Sequence, residues 1–283
     1  MNLTFPINQL QKPDSMEEEI QKKIEELRDN ISLLMADSKS IKEDQPKQAE
    51  KLMQNALKLA LKGYKLDKLH FEIELVDIYC CLGDHYRHCE GGSIDKAMEF
   101  YKKAIYYCEH SETIKDEELA SDYTSLAADL IFGFANMFFV AERYQDAIPI
   151  FSKALAFQKQ MLKFDKIRYQ GFIAKTLYKI GYSYWHTGEV KDLELAERAL
   201  LAHIEAYEYL YKKQNSERYL ELYGMSHHNT GIFYKESKCW SNAKKSLEQA
   251  HSLFTELRKT DETIIPVLEL EEKLLKEIED KLK

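Results

Sequence analysis

Small and bulky apolar residues recur along the chain in a set order: an Ala, a bulky residue four positions on, and a small residue three further. The copies are Ala49/Met53/Ala56, Ala97/Tyr101/Ala104, Ala147/Phe151/Ala154, Ala196/Leu200/His203 and Ala243/Leu247/Ala250. Positions i, i+4 and i+7 share one helical face, so each copy marks the buried stripe of an amphipathic helix. Successive first Ala residues lie 48, 50, 49 and 47 positions apart. That regularity identifies one supersecondary unit copied about five times, and hence a solenoid in which each unit contacts only its neighbours.

A second pattern runs upstream of the first. Leu82-Gly83 with Tyr86, Phe134-Ala135 with Phe138, Ile180-Gly181 with Tyr184 and Thr230-Gly231 with Tyr234 each place an aromatic three residues after a small residue. A small residue lets two helices approach closely, and the aromatic fills the space one turn along on the same face. Each unit is therefore predicted to be a helical hairpin. The small residue precedes the next signature Ala by 12 positions for Ala135 and Gly231, by 14 for Gly83 and by 15 for Gly181, which predicts longer loops in the second and fourth hairpins. Gly91-Gly92-Ser93 and Thr187-Gly188 stand where two of those turns are needed.

The ends depart from the repeat. Residues 1–14 read as a leader, 15–66 as a degenerate helical pair, 67–260 as the regular repeats and 261–283 as a capping helix. Ser15-Met16-Glu17-Glu18 offers a capping box for a helix running to about Lys39, and Pro46 suits the first turn of the next. Val267, Leu270, Leu274, Ile278 and Leu282 form one apolar stripe on a charged helix, suited to closing the last open face of an array. Leu3, Phe5 and Ile7 in the leader could serve as an internal ligand.

The paired patterns resemble the tetratricopeptide repeat family, whose motif places small residues at its eighth and twentieth positions, an aromatic at its eleventh, a bulky apolar residue at its twenty-fourth and Ala at its twenty-seventh. Gly231, Tyr234, Ala243, Leu247 and Ala250 match it best, with Ala135, Phe138, Ala147, Phe151 and Ala154. The resemblance covers residues 70–255 well and 16–65 loosely. Two departures stand out: the interval exceeds the family's usual 34 residues, as in the long-helix repeats of kinesin light chains, soluble NSF attachment proteins and bacterial peptide-responsive regulators, and the proline that usually ends a unit is absent. The resemblance implies an all-α, right-handed superhelical solenoid of antiparallel helical hairpins with a C-terminal capping helix.

It also implies a concave surface lined by the first helix of each hairpin. Carried over by motif position, that surface holds Asp129, Phe132, Asn136 and Phe139, then Lys175, Tyr178, Tyr182 and Trp185 with His186, then His228 and Ile232. In the first regular repeat it holds Asp77, Cys80, Asp84, Arg87 and His88. The middle of this surface is aromatic, the side-chain type enriched in binding hot spots. Where some members clamp a partner's C-terminal carboxylate with Lys, Asn and Arg, the corresponding positions here hold Cys80 and Asp84, Phe132 and Asn136, Tyr178 and Tyr182, and His228 and Ile232, so a clamp of that kind is not expected. The expected function is a non-enzymatic scaffold that holds a protein or peptide in an aromatic groove. The alternatives are a regulator that changes superhelical pitch on binding a peptide and a self-assembling subunit, including a homodimer formed through the terminal helix.

Composition narrows the partners. With 40 Lys and Arg against 48 Asp and Glu, the formal charge of -8 gives no general attraction to phosphate backbones or anionic membranes. Neither nucleic acid nor membrane insertion is expected: the most apolar stretch, Leu126–Ala141, is short and carries Asp129 and Asn136. Five cysteines without framework spacing point to free thiols and a cytoplasmic setting.

One run could bear chemistry. Cys81, His85 and His88 fall at i, i+4 and i+7 on one helical face and form a zinc-like donor set, yet a single face rarely supplies tetrahedral geometry and no CxxC or HExxH accompanies it. Partial exposure and packing explain the run better. No phosphate-cradling glycine loop and no nucleophile elbow is present, so no catalytic residue and no cofactor is expected.

Overall fold

The computed structural model describes residues 13–89, 92–111 and 120–283, with side chains from Met16 onward. The leader residues Leu3, Phe5 and Ile7 lie outside the described residues. Among the described residues all regular structure is helical: α1 (Pro13–Ile41), α2 (Pro46–Gly63), α3 (Lys68–His88), α4 (Ile94–His110), α5 (Ala120–Val140), α6 (Tyr144–Met161), α7 (Lys166–Thr187), α8 (Val190–Gln214), α9 (Glu217–Glu236), α10 (Trp240–Leu257) and α11 (Ile265–Leu282), the last preceded by a 3-10 turn at Glu262–Ile264. Helices adjacent in sequence pack on one another: α1 on α2, α3 on α4, α7 on α8 and α9 on α10 form hairpins. The rings of Phe132 and Phe151, 5.5 Å apart, join α5 to α6. The fold is an all-α array of helical hairpins. It divides into two compact units, one ending at Leu126 and one beginning at Ala127.

The repeat signature is the core. All fifteen signature residues are buried, from Ala49 at 0% exposure to His203 at 5%. In three hairpins the glycine of the first helix meets the bulky signature residue of the second. A methyl group added to Gly83 would stand 2.8 Å from the Tyr101 ring, one on Gly181 2.9 Å from Leu200, and one on Gly231 2.6 Å from Leu247. Glycine is thus required by close approach, and the bulky residue fills the space that its missing side chain leaves.

Helix starts follow the side-chain oxygens. Asp67, Ser93, Asp165 and Ser216 each accept a hydrogen bond from the backbone N–H three residues on, capping α3, α4, α7 and α9. Pro46 opens α2 as expected. The first helix already begins at Pro13, so Ser15 falls inside its first turn rather than capping it. Gly188 ends α7 in the left-handed region at φ 76°, where the absence of a Cβ removes the steric cost.

Two expectations change. The apolar stretch around Leu126–Ala141 belongs to a helix of 21 residues that is long and apolar enough to cross a membrane, with half of its most apolar window buried within the protein. On α11 the buried stripe is Leu268, Glu271, Leu274 and Ile278, while Leu270 and Leu282 are each 45% exposed. An acid takes the place expected of a leucine because His228 Nδ1 on α9 bonds to the Glu271 carboxylate. Leu274 and Ile278 pack with Leu247 and Tyr234, and Leu268 packs with Leu253 and Phe254.

Candidate partner-binding wall

Within the second unit the half-buried rings of α5, α6 and α7 form one connected surface. Phe132 and Phe139 both meet the buried Phe151, at 5.5 and 6.1 Å. From Phe139 the surface continues to Tyr144, 5.6 Å away, and to Tyr182, 5.3 Å away. Tyr182 lies 5.9 Å from Tyr178 and 5.7 Å from Trp185. His186 stacks on Tyr182 with ring centroids 3.9 Å apart and remains exposed. Most of these contacts are tilted or edge-on, the arrangement in which ring edges meet the electron-rich faces of their neighbours.

The wall is anchored at both margins. Tyr178 reaches His203 of α8 at 5.4 Å, and His203 is fixed in turn by a 2.8 Å bond to the Ala174 carbonyl. Burial pushes the His203 imidazole down to about 4, so it is neutral and donates through Nδ1–H. Trp185 meets Phe233 of α9 edge-on at 5.6 Å and packs into the core cluster of Leu200 and Leu247. Trp185 is therefore as much core as surface.

Charge is distributed unevenly over this surface. The α7 sequence carries Lys166, Arg168, Lys175 and Lys179 and no carboxylate. Each cation lies over a ring: Lys166 over Tyr209, Arg168 over Tyr169, Lys175 over Phe172 and Lys179 over Phe139, the last with Nζ 3.7 Å from the centroid. Among the described residues none of the four has a carboxylate oxygen within 4 Å. Burial lowers the Lys179 ammonium below its ordinary value, and the ring face offsets part of that cost. Partial desolvation raises the Asp129 carboxyl at the solvent-facing edge of α5, and the Arg168 guanidinium pulls it back.

The residues expected on one continuous groove separate into three groups. Phe132, Asn136, Phe139, Tyr178 and Tyr182 are half-buried, with Phe139, Tyr178 and Tyr182 in one ring network, while Asp129 and Lys175 are exposed beside it. Trp185 belongs largely to the core. His228 and Ile232 do not join the wall: His228 is bonded to Glu271 of α11, and Ile232 packs against the cluster that contains Leu274 and Ile278. Sequence reading missed Tyr144, Lys179 and Glu271. Lys179, one helical turn after Lys175, carried a usable signal; Tyr144 opens the second helix of its hairpin, outside the positions that the family motif marks.

In the first unit Cys81, His85 and His88 line one cavity of about 710 Å³ with Ser38, Lys42 and Met53. They do not converge on a point: among the described residues no group of three His, Cys, Asp or Glu is placed to hold a metal ion. Cys81 Sγ lies 4.0 Å from Asp77 Oδ1, and burial pushes its thiol up to about 12. Asp84, expected on the inner surface, accepts a hydrogen bond from the Tyr101 hydroxyl.

No family model matches the chain, and no curated protein matches it. Solved structures do. BtubC (BKLC) from P. vanneervenii is 14% identical, with 86% of this chain and 93% of that one covered at a TM-score of 0.48. Nro1, described as a hypoxic regulator of sterol synthesis and a nuclear import adaptor, is 11% identical, with 90% and 99% covered at a TM-score of 0.44. The de novo designed helical repeat protein DHR64 is 15% identical, with 93% and 96% covered at a TM-score of 0.16.

Proposed function

We propose that this protein is a non-enzymatic scaffold that holds a segment of a partner protein against the ring network of α5, α6 and α7. The observation that carries the reading is the connected set Phe139, Tyr144, Tyr182 and His186. It combines half-buried rings with an exposed imidazole and the ammonium of Lys179, which has no carboxylate partner among the described residues. Semi-rigid rings lose little conformational freedom on binding, which is why such surfaces concentrate binding energy. The reading needs no cofactor. It places the protein in the cytoplasm, in keeping with five free cysteines.

The test is selection of peptides from a random display library on the intact protein, followed by affinity measurement on a Tyr144→Ala, Tyr182→Ala, His186→Ala variant. Tyr178 and Trp185 are left in place because they pack against α8 and α9. The expected result is peptides whose affinity falls at least about tenfold in the variant, the scale of one lost hot-spot contact. Peptides that bind wild type and variant alike would move the binding surface elsewhere.

A further inference from the structure

The first unit holds an arrangement that the binding role does not use. At the C-terminal end of α3, Cys89 Sγ lies 3.2 Å from His85 Nδ1, one helical turn away. His85 Nε2 on the other side of the ring lies 4.0 Å from Glu50 Oε2 of α2, and the imidazole side chain is only 6% exposed. Glu50 is fixed by the Tyr86 hydroxyl and by Gln54 Nε2, the latter at 2.8 Å. Acid, imidazole and thiol thus stand in the order in which an oriented base activates a sulfur nucleophile.

We propose that Cys89 is a modification site, a thiol that exchanges with a small anionic disulfide admitted to the cavity between α1, α2 and α3, with His85 as its base. The cavity, about 710 Å³, is the size of a small-molecule site, and Cys89 and His85 both line it. Lys39 and Lys42 line it too and supply positive charge, facing Glu43, Asp84 and His88 across the same space. Burial and the Glu50 carboxylate raise the Cys89 thiol, with Lys42 opposing them, and burial lowers the His85 imidazole. The resting pair is therefore a neutral thiol donating to a neutral imidazole, whose remaining N–H points toward Glu50.

Exchange proceeds without any further oxidant. His85 Nδ1 takes the Cys89 proton as the sulfur attacks one sulfur of the reagent. The reagent's S–S bond breaks, a new S–S bond joins Cys89 to one half, and the departing thiolate takes the proton from His85. Cys81 lines the same cavity beside Asp77 and keeps its proton, so it serves as an internal control. Cys239, exposed and with its thiol bonded only to the Ser237 carbonyl among the described residues, controls for access.

The experiment treats the full chain with oxidised glutathione and follows all five cysteines by peptide mass spectrometry across pH 6 to 9. Cys89 is expected to react about tenfold faster than Cys239 near neutral pH. A His85→Gln variant is expected to lose about that factor at Cys89 alone and to shift the Cys89 profile to alkaline pH, a change that loss of packing would not produce. Should that variant fail to fold by circular dichroism, Glu50→Gln and the wild-type pH profile decide instead. A Cys89 rate no greater than that of Cys239, or one indifferent to both substitutions, overturns the proposal. Lys42→Gln is expected to slow glutathione but not the uncharged hydroxyethyl disulfide; equal slowing of both would overturn the preference for an anion.

Discussion

In the first unit the polar groups of neighbouring helices are satisfied by carboxylates: Tyr101 bonds to Asp84, Tyr86 to Glu50, Ser111 to the buried Glu72, and Arg28 to Glu74 at 2.8 Å. In the second unit, from α5 to α7, rings meet rings, and the cations of α7 lie on aromatic faces with no carboxylate oxygen within 4 Å among the described residues. Beneath both runs the same core, in which a small residue on one helix receives a bulky residue from the next. The repeat therefore constrains the interior and leaves the faces of the first helices free to diverge. Ring pairs occur in the first unit as well, with Tyr86 stacked on Phe100 at 5.5 Å and Lys96 over Tyr86, but there Tyr86 is tied to Glu50, whereas the α5–α7 rings surround an ammonium that still has interactions to offer.

The strongest test of this comparison is to break the shared part. Gly83→Leu and Gly231→Leu should each cost about 3 kcal/mol, because a side chain there collides with Tyr101 or Leu247. Urea unfolding of both variants should give similar losses, and a large disparity would mean that the cores are not equivalent.

Acid should discriminate between the units. His203 and His227 in the second unit are pushed down to about 4 by burial. A group that must stay neutral when folded but is protonated when unfolded lowers stability as pH falls from about 6.5 toward 4 and adds no further loss below that. Each shift, if fully realised, is worth up to about 3 kcal/mol. Thermal melts from pH 7 to 4.5 should show this loss, and His203→Gln should flatten the curve; an unchanged slope would refute it.

The carboxylate network predicts a smaller effect. Tyr101→Phe keeps the ring beside Gly83 and removes only the hydroxyl that bonds to Asp84, so about 1 kcal/mol should be lost. Smallest, and opposite in sign, is His227→Phe. Both ring nitrogens of His227 are buried without a partner among the described residues, so an apolar ring of similar shape should stabilise the protein by about 0.5 kcal/mol at neutral pH. A loss in place of a gain would reveal a partner for one of the nitrogens.

Much of the fold was legible in the sequence because close packing permits few residue types. Glycine at 83, 181 and 231 and alanine at the signature positions are there because a larger side chain would not fit, so their spacing showed through. The wall was less legible. Positions that face out of a hairpin meet whatever the neighbouring hairpin presents, and only the assembled helices put Phe139 against Tyr144 and Tyr182, or turned Trp185 into the core toward Phe233. The stripe of the terminal helix was misread for a related reason, with Leu270 and Leu282 exposed and Glu271 buried. Hydrophobic periodicity counts leucines, and Glu271 is buried by its bond to a histidine 43 residues earlier in the chain.

That bond makes the last helix a keyed stopper. Any amphipathic helix could shield Leu247 and Phe254 from water, but only one carrying an acid level with His228 answers that half-buried imidazole. Appending another hairpin at this end, or borrowing α11 to close a different array, would require the lock to travel with the key.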